Sequence, residues 1–254
     1  VMPRVFLAHP PELGQTIWVD GDEGHHFVRV LRARIGEQVA VVGSGVACLA
    51  RIVEMDKQAG AFALLPERVL PSHESRVPVY LIQGLAKGDK IDSIIQQATE
   101  IGVAGFLLLE TERSVARVEP RRAEAKLTRW RRVAREAAAQ AQRDVIPSVD
   151  LAVTMVDAAR WLQSRSVGSP FLLDEAETSH GLRAAVAAVR KREDKAAMAV
   201  VVGPEGGWSD AERREWARAC DAVPVTLGPR ILRTETAGPA AVAAILYELD
   251  ELGG

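Results

Sequence analysis

From Val79 to Leu249 short β-branched apolar runs alternate with segments of helical periodicity, and this rhythm restricts the fold more than any other feature. Strands are expected at Val79–Ile82, Phe106–Leu109, Phe171–Leu173, Met198–Val202 and Val223–Thr226. Helices are expected at Asp89–Ile101, Arg121–Gln142, Leu182–Lys191, Asp210–Arg218 and about Thr234–Leu249. Strands separated by helices of ten or more residues pair in parallel, and a parallel sheet needs cover on both faces. The stretch Val145–Ser169 carries no motif, so the strand order there stays open.

The N-terminal part has a different pattern. Val5–Leu7, Gln15–Val19, Gln38–Val42, Val46–Val53 and Ala61–Leu65 are short strand candidates separated by Gly, Asp and Pro signals. One helix is expected among them, opening near Asp22 and carrying His25, His26, Val28, Val30 and Leu31. Such a series suits a small closed or half-open barrel. The proline-bearing stretch Pro66–Pro78 has neither periodicity and reads as a linker. The division expected is therefore a β-barrel over 1–70, a linker over 71–78 and an α/β domain over 79–254.

The apolar run at Val200–Val202 empties into Gly203-Pro-Glu-Gly-Gly-Trp-Ser-Asp-Ala-Glu212. Ser209 with Glu212 three residues on makes a capping box, so a helix starts there. A strand, a glycine loop and a helix together present backbone N–H and C=O groups to a small polar ligand. The spacing fits neither G-x-G-x-x-G nor the Walker loop, which argues against a dinucleotide or nucleoside triphosphate. A second glycine-bearing segment follows, Leu227-Gly-Pro-Arg-Ile-Leu-Arg-Thr-Glu-Thr-Ala-Gly238.

With 5% aromatic residues among 48% hydrophobic, the core must be built on Val, Leu, Ile and Ala. Cys48 and Cys220 are far apart and lack metal-ligand spacing, which argues against a disulfide scaffold or a zinc site and suits a reducing compartment. No apolar run is long enough to span a bilayer, and no secretory signal is evident, so the cytoplasm is the expected location. The formal net charge is −2. Any polyanion must therefore meet a local patch rather than the whole surface. Ten basic residues between Arg113 and Arg143 against Glu119, Glu124 and Glu136 form such a patch. Leu127, Trp130, Ala134, Ala137 and Ala141 follow helical spacing there, placing the cations on the other faces.

The two glycine loops, with Gln83-Gly-Leu-Ala-Lys-Gly-Asp-Lys90, Ala98-Thr-Glu-Ile-Gly-Val103, Glu112-Arg-Ser-Val115, Trp130–Arg143 and His25-His-Phe-Val-Arg-Val-Leu-Arg32, closely resemble the bacterial 16S ribosomal RNA (uracil-N3)-methyltransferases of the SPOUT superfamily. The resemblance spans nearly the whole chain in the right order. It implies a PUA-like RNA-binding barrel, a C-terminal α/β domain ending in a trefoil knot, S-adenosylmethionine (SAM) as cofactor, the small ribosomal subunit as substrate and a homodimer. Another RNA target, or a non-catalytic assembly factor on the same fold, are the alternatives. Neither a metal nor a membrane is implied.

Site residues follow from that resemblance together with the chemistry. Leu172, Leu173, Gly203, Pro204, Glu205, Gly206, Gly207, Leu227, Gly228, Ile231 and Leu232 are the expected SAM contacts. N3 methylation requires loss of a weakly acidic imide proton and stabilisation of charge on the uracil carbonyl oxygens. Arg233 is the candidate oxyanion stabiliser, and Glu205 or Glu235 the candidate proton acceptor. RNA contacts are expected at Arg29, Arg32, Lys87, Arg113, Arg117, Arg122, Arg129, Arg132 and Arg143. Glu136, Gln140 and Arg143 share one helical face by spacing, and the tryptophans, Trp18 included, are read as packing residues.

Overall fold

A computed structural model describes residues 2–114, 117–192 and 196–253. Val115, the end of one motif above, lies outside the described residues. The chain divides into two compact units: residues up to Glu74 together with Ala138–Ile146, and Ser75–Ala137 together with the chain from Pro147 onward. The return of residues 138–146 to the first unit is not visible in a linear division at a linker.

The first unit is a curled five-stranded sheet. Its strands are β1 (Arg4–Leu7), β2 (Ile17–Val19), β3 (Gln38–Gly43), β4 (Val46–Asp56) and β5 (Ala61–Val69), in the order β1-β3-β4-β5-β2. Only the β1–β3 pair is parallel. Alternate residues (Val39, Val41, Cys48, Ala50, Ile52, Phe62 and Leu64) share one core with Phe27, whose ring stacks on Phe62 at 5.1 Å. The intervening positions Ala40, Val42, Ala47, Leu49 and Ala63 are buried as well. β5 runs on through Pro66, opposite a register shift between Leu49 and Ala50, where a missing N–H is tolerated. The expected linker is thus partly strand.

Between β2 and β3 the chain forms α1 (Gly21–His25), which passes directly into a π-helical turn, His26–Val30. Widening the helix changes the facing: Phe27 is buried, whereas Val30 and Leu31 stay exposed. Trp18 also departs from expectation. It lies on the edge strand β2 and is 53% exposed, so it is not a packing residue.

Asp144 and Glu74 organise the rest of this unit. Arg4 Nη1 donates to Asp144 Oδ1 at 2.6 Å, and the His73 N–H donates to Asp144 Oδ2 at 2.7 Å. Glu74 accepts from the Asp144 N–H at 2.7 Å and from the guanidinium of Arg143. The long helix α3 (Pro120–Gln140) has ended by then, and Gln142 is left-handed at φ 59°. That turn carries Arg143 off the helical face it was expected to share with Glu136 and Gln140. Arg143 is 4% exposed and paired with Glu74, which corrects its reading as an RNA contact.

The second unit is a six-stranded parallel sheet: β6 (Val79–Gly84), β7 (Gly105–Leu109), β8 (Ser148–Ala152), β9 (Phe171–Leu173), β10 (Met198–Val202) and β11 (Val223–Val225). The order is β11-β9-β10-β6-β7-β8. The helices between them are α2 (Lys90–Ile101), α3, α4 (Met155–Gln163), α5 (Leu182–Arg192) and α6 (Asp210–Cys220), and α7 (Thr234–Glu248) closes the unit. β8 and α4 fill the stretch that carried no motif. On one face Ile82, Leu107, Leu172 and Val201 pack on α4 and α6 through Met155, Leu162 and Trp216, joined by Trp208 from the loop before α6. On the other, Leu81 meets α7 at Gly238, a close approach that a larger residue would obstruct. Helix α7 buries Ala237, Gly238, Ala241, Val242, Ile245 and Leu246, as a helix enclosed on several sides must.

Candidate functional site

The chain leaves β6 toward β7 and β8 on one side of the sheet and leaves β10 toward β11 on the other. Ligands of open parallel sheets bind where the strand order reverses in this way, beyond the carboxyl ends of the strands. Here those ends meet closely. A Cβ on Gly84 would lie 2.7 Å from the backbone nitrogen of Pro204, so only glycine lets the glycine loop seat against β6. Gly207, at φ +64°, turns the loop back beside Glu175.

A cavity of about 890 Å³ opens at these strand ends. Its walls are the end of β9 (Leu173, Asp174, Glu175), the loop Gly203–Trp208, the segment Val225–Leu232 and the first turn of α7 with Lys90. Every expected SAM contact lines it except Leu172. Leu172 points to the opposite face of β9 and is packed in the core, because neighbouring strand residues face opposite ways. Arg233, Glu205 and Glu235 line the same cavity.

Three braces hold the walls. Trp208 is fully buried, donates Nε1–H to the Leu173 carbonyl at 3.0 Å and meets Trp216 edge-on at 6.0 Å. Arg213 of α6 grips Asp174 through Nε at 2.8 Å and Nη2 at 3.0 Å, which raises the guanidinium pKa further. The Ser209–Glu212 capping box forms as expected and is extended by Glu112, whose carboxylate accepts from the Ser209 hydroxyl at 2.6 Å.

A fourth brace was not assigned from sequence. Gln83 is fully buried and donates Nε2–H to Thr234 Oγ1 at 2.8 Å. Thr234 in turn donates to the Gly203 carbonyl at 2.6 Å. One chain of hydrogen bonds thus ties β6, the start of α7 and the glycine loop. A polar residue ending an apolar strand, Val79-Tyr-Leu-Ile-Gln83, was the available signal.

At the rim, Lys90 Nζ lies 3.0 Å from Glu205 Oε1 and 3.3 Å from Glu235 Oε2. Burial pushes the Glu205 carboxyl up, but its own N–H, Lys90 and the Lys87 N–H together hold it below the usual range. The Glu235 carboxyl is lowered chiefly by its own N–H in the first turn of α7, then by Lys90 and Arg233. Both are therefore ionised at neutral pH and are weak bases, better suited to orienting a donor than to taking its proton outright.

The basic patch is less bare than the sequence suggested. Arg129 of α3 pairs with Asp89 and Asp92 near the start of α2, Arg122 with Glu119 at 3.6 Å and Arg132 with Glu136 at 3.7 Å. Arg117 lies 3.5 Å from Glu110. Arg113 reaches back to the Gly206 carbonyl at 3.1 Å and so supports the glycine loop. These exposed pairs are weak and can exchange for phosphate, unlike that of Arg143. Arg29, Arg32 and Lys87 are exposed. Among the described residues no metal-binding cluster occurs, and no helix is long and apolar enough to cross a membrane.

Gly84→Ala tests the seating of the loop. The added methyl must displace Pro204, and SAM affinity, measured by calorimetry, is expected to fall more than about tenfold, equivalent to about 1.4 kcal/mol. Unchanged affinity would show that the loop accommodates the methyl.

Comparison with known proteins agrees with this arrangement. Residues 73–246 match the RNA methyltransferase domain family, and residues 19–62 match the RNA methyltransferase PUA domain. The chain is 33% identical to ribosomal RNA small subunit methyltransferase E of Bacillus subtilis, over 100% of this chain and 99% of that protein. It is 36% identical to the protein of the same name from Mycobacterium bovis, over 92% and 87%. The crystal structure of ribosomal RNA small subunit methyltransferase E from Neisseria gonorrhoeae, bound to SAM, superposes with a TM-score of 0.81 at 29% identity, covering 97% of each chain. With its PUA-type half-barrel, its parallel sheet and a cavity at the strand-order reversal, the chain belongs to the ribosomal RNA small subunit methyltransferase E family.

Proposed function

We propose that this protein transfers a methyl group from SAM to N3 of a uridine in 16S ribosomal RNA of the small subunit. The observation that carries the reading is the convergence of Leu173, Gly203–Gly207 and Leu227–Leu232 on one cavity whose rim carries Arg233, Glu205 and Glu235. The cavity fits the cofactor on its own features. Its volume is that of a small-molecule pocket, and the loop's approach at Gly84 and Gly207 tolerates no side chain. Leu173, Leu227 and Leu232 would form the apolar walls around the adenine, with loop amides and carbonyls reading its edge. SAM supplies an electrophilic methyl on a sulfonium centre.

The chain's own residues then have two tasks. The Arg233 guanidinium donates to a uracil carbonyl oxygen, where charge accumulates as N3 loses its proton. Glu205 or Glu235 accepts the imide N–H and fixes the ring's orientation, the proton passing on to solvent. The exposed cations Arg29, Arg32, Lys87, Arg113, Arg117, Arg122, Arg129 and Arg132 supply candidate phosphate contacts. A trefoil knot in the C-terminal unit, a homodimer and a cytoplasmic location complete the proposal, as family resemblance implies.

The test is nucleoside mass spectrometry on small subunits lacking N3-methyluridine, incubated with the protein and SAM. N3-methyluridine at one site is the expected product. A different methylated nucleoside, or none despite SAM binding, would overturn the N3 assignment.

A further inference from the structure

The rim of the cavity holds an arrangement that the reading above leaves unused. Three separate segments meet at one nitrogen: Lys90 opens α2, Glu205 lies in the glycine loop and Glu235 in the first turn of α7. Both carboxylate oxygens lie within 3.3 Å of Lys90 Nζ, so they are near neighbours of each other. Two carboxylates sharing one site raise one of the two pKa values, and a cation between them offsets that rise. Lys90 is that cation. The other groups facing the pair are few. The Lys87 N–H donates to Glu205 Oε1 at 3.1 Å, and Arg233 sits beside Glu235.

Glu235 Oε2 is buried, with the Lys90 ammonium 3.3 Å away as its ion-pair partner. It belongs to a residue that lines the cavity, beside Arg233.

We propose that Lys90 is a positioning residue for methyl transfer: by standing between Glu205 and Glu235 it keeps both ionised and fixed at the rim of the cavity. The inference rests on the proposed N3 chemistry for its consequence in turnover, but not for the charge state of the pair. Lys90 acts through the two carboxylates and need not touch the base itself. An arginine at position 90 preserves the charge; a methionine preserves the apolar stem and removes it.

The experiment compares wild type, Lys90→Met and Lys90→Arg in the full chain, with two readouts. Carbon-13 NMR of labelled glutamate follows the titration of the Glu205 and Glu235 carboxylates without substrate. The pH profile of kcat/KM on small subunits follows turnover, with SAM affinity as the control for folding. In Lys90→Met the titration midpoint of at least one carboxylate is expected to rise by about one pH unit, where each unit is a tenfold change in the ratio of the two forms. The acid limb of kcat/KM should move up with it, so the loss, up to about tenfold, is confined to pH below the shifted midpoint and disappears at pH 7 and above. Lys90→Arg should titrate like wild type, and SAM affinity should stay within about threefold in both. Unmoved carboxylate midpoints in Lys90→Met would overturn the proposal. So would a loss of turnover equal at every pH, or an equal loss in Lys90→Arg, since those mark a merely structural lysine. If wild type formed no N3-methyluridine, the reaction assigned above would fail, while the NMR midpoints would still decide the role of Lys90.

Discussion

Arg233→Ala is expected to slow methyl transfer by about 10²–10³-fold, the usual cost of removing one donor to a developing oxyanion. SAM affinity should remain within about threefold. The structural basis is the position of Arg233 at the N-cap of α7. Its backbone carbonyl accepts from the N–H groups of Thr236 and Ala237, while its side chain caps nothing. Truncation at Cβ therefore leaves the helix start intact. Among the described residues the guanidinium makes no ion pair within salt-bridge distance, although it lines the cavity, so it has no evident structural duty to lose. Single-turnover methylation of small subunits, with calorimetric SAM binding alongside, separates the two effects. Full activity in the variant would remove Arg233 from the reaction.

Trp208→Ala is expected to destabilise the protein by about 3–5 kcal/mol, the range for deleting a fully buried large aromatic side chain. The loss has several parts. The indole fills space between the sheet and α6 against Trp216, and its Nε1–H is the partner of the Leu173 carbonyl. Leu173 is also a wall of the cavity, so binding should weaken along with stability. Chemical denaturation and calorimetry on the same sample measure both. Trp208→Phe keeps much of the volume and loses the N–H, and should fall between. A change of less than about 1 kcal/mol in Trp208→Ala would mean that the core collapses around the gap.

Much of the second unit was legible because its signals are local. Met198–Val202, the capping box at Ser209 and Glu212, and the helix ended by Gly102 are each specified within a few residues of sequence. The glycine loop pointed to a ligand site for the same reason. Other features were hidden because their causes lie far along the chain. Arg143 looked like one more cation on a basic helix, yet a left-handed Gln142 turns it inward to Glu74, 69 residues earlier. Arg129 looked uncompensated because its partners, Asp89 and Asp92, precede the window in which charge was counted. Trp18 looked like core because tryptophan usually is, but its strand lies at the edge of the sheet.

Sequence alone therefore determined the βα rhythm, the glycine loops and the family, all of which depend on residue type and spacing along a few turns or strands. Tertiary structure alone decided that β6 and β10 lie side by side where the strand order reverses, and that Gln83 joins Thr234 and Gly203 across that junction. It also placed one ammonium between two carboxylates 115 and 145 residues further along the chain. The physical reason is the range of the forces. Backbone propensity and side-chain periodicity act between near neighbours in sequence. Ion pairing, burial and the exclusion of a Cβ act between near neighbours in space, which only the folded chain defines.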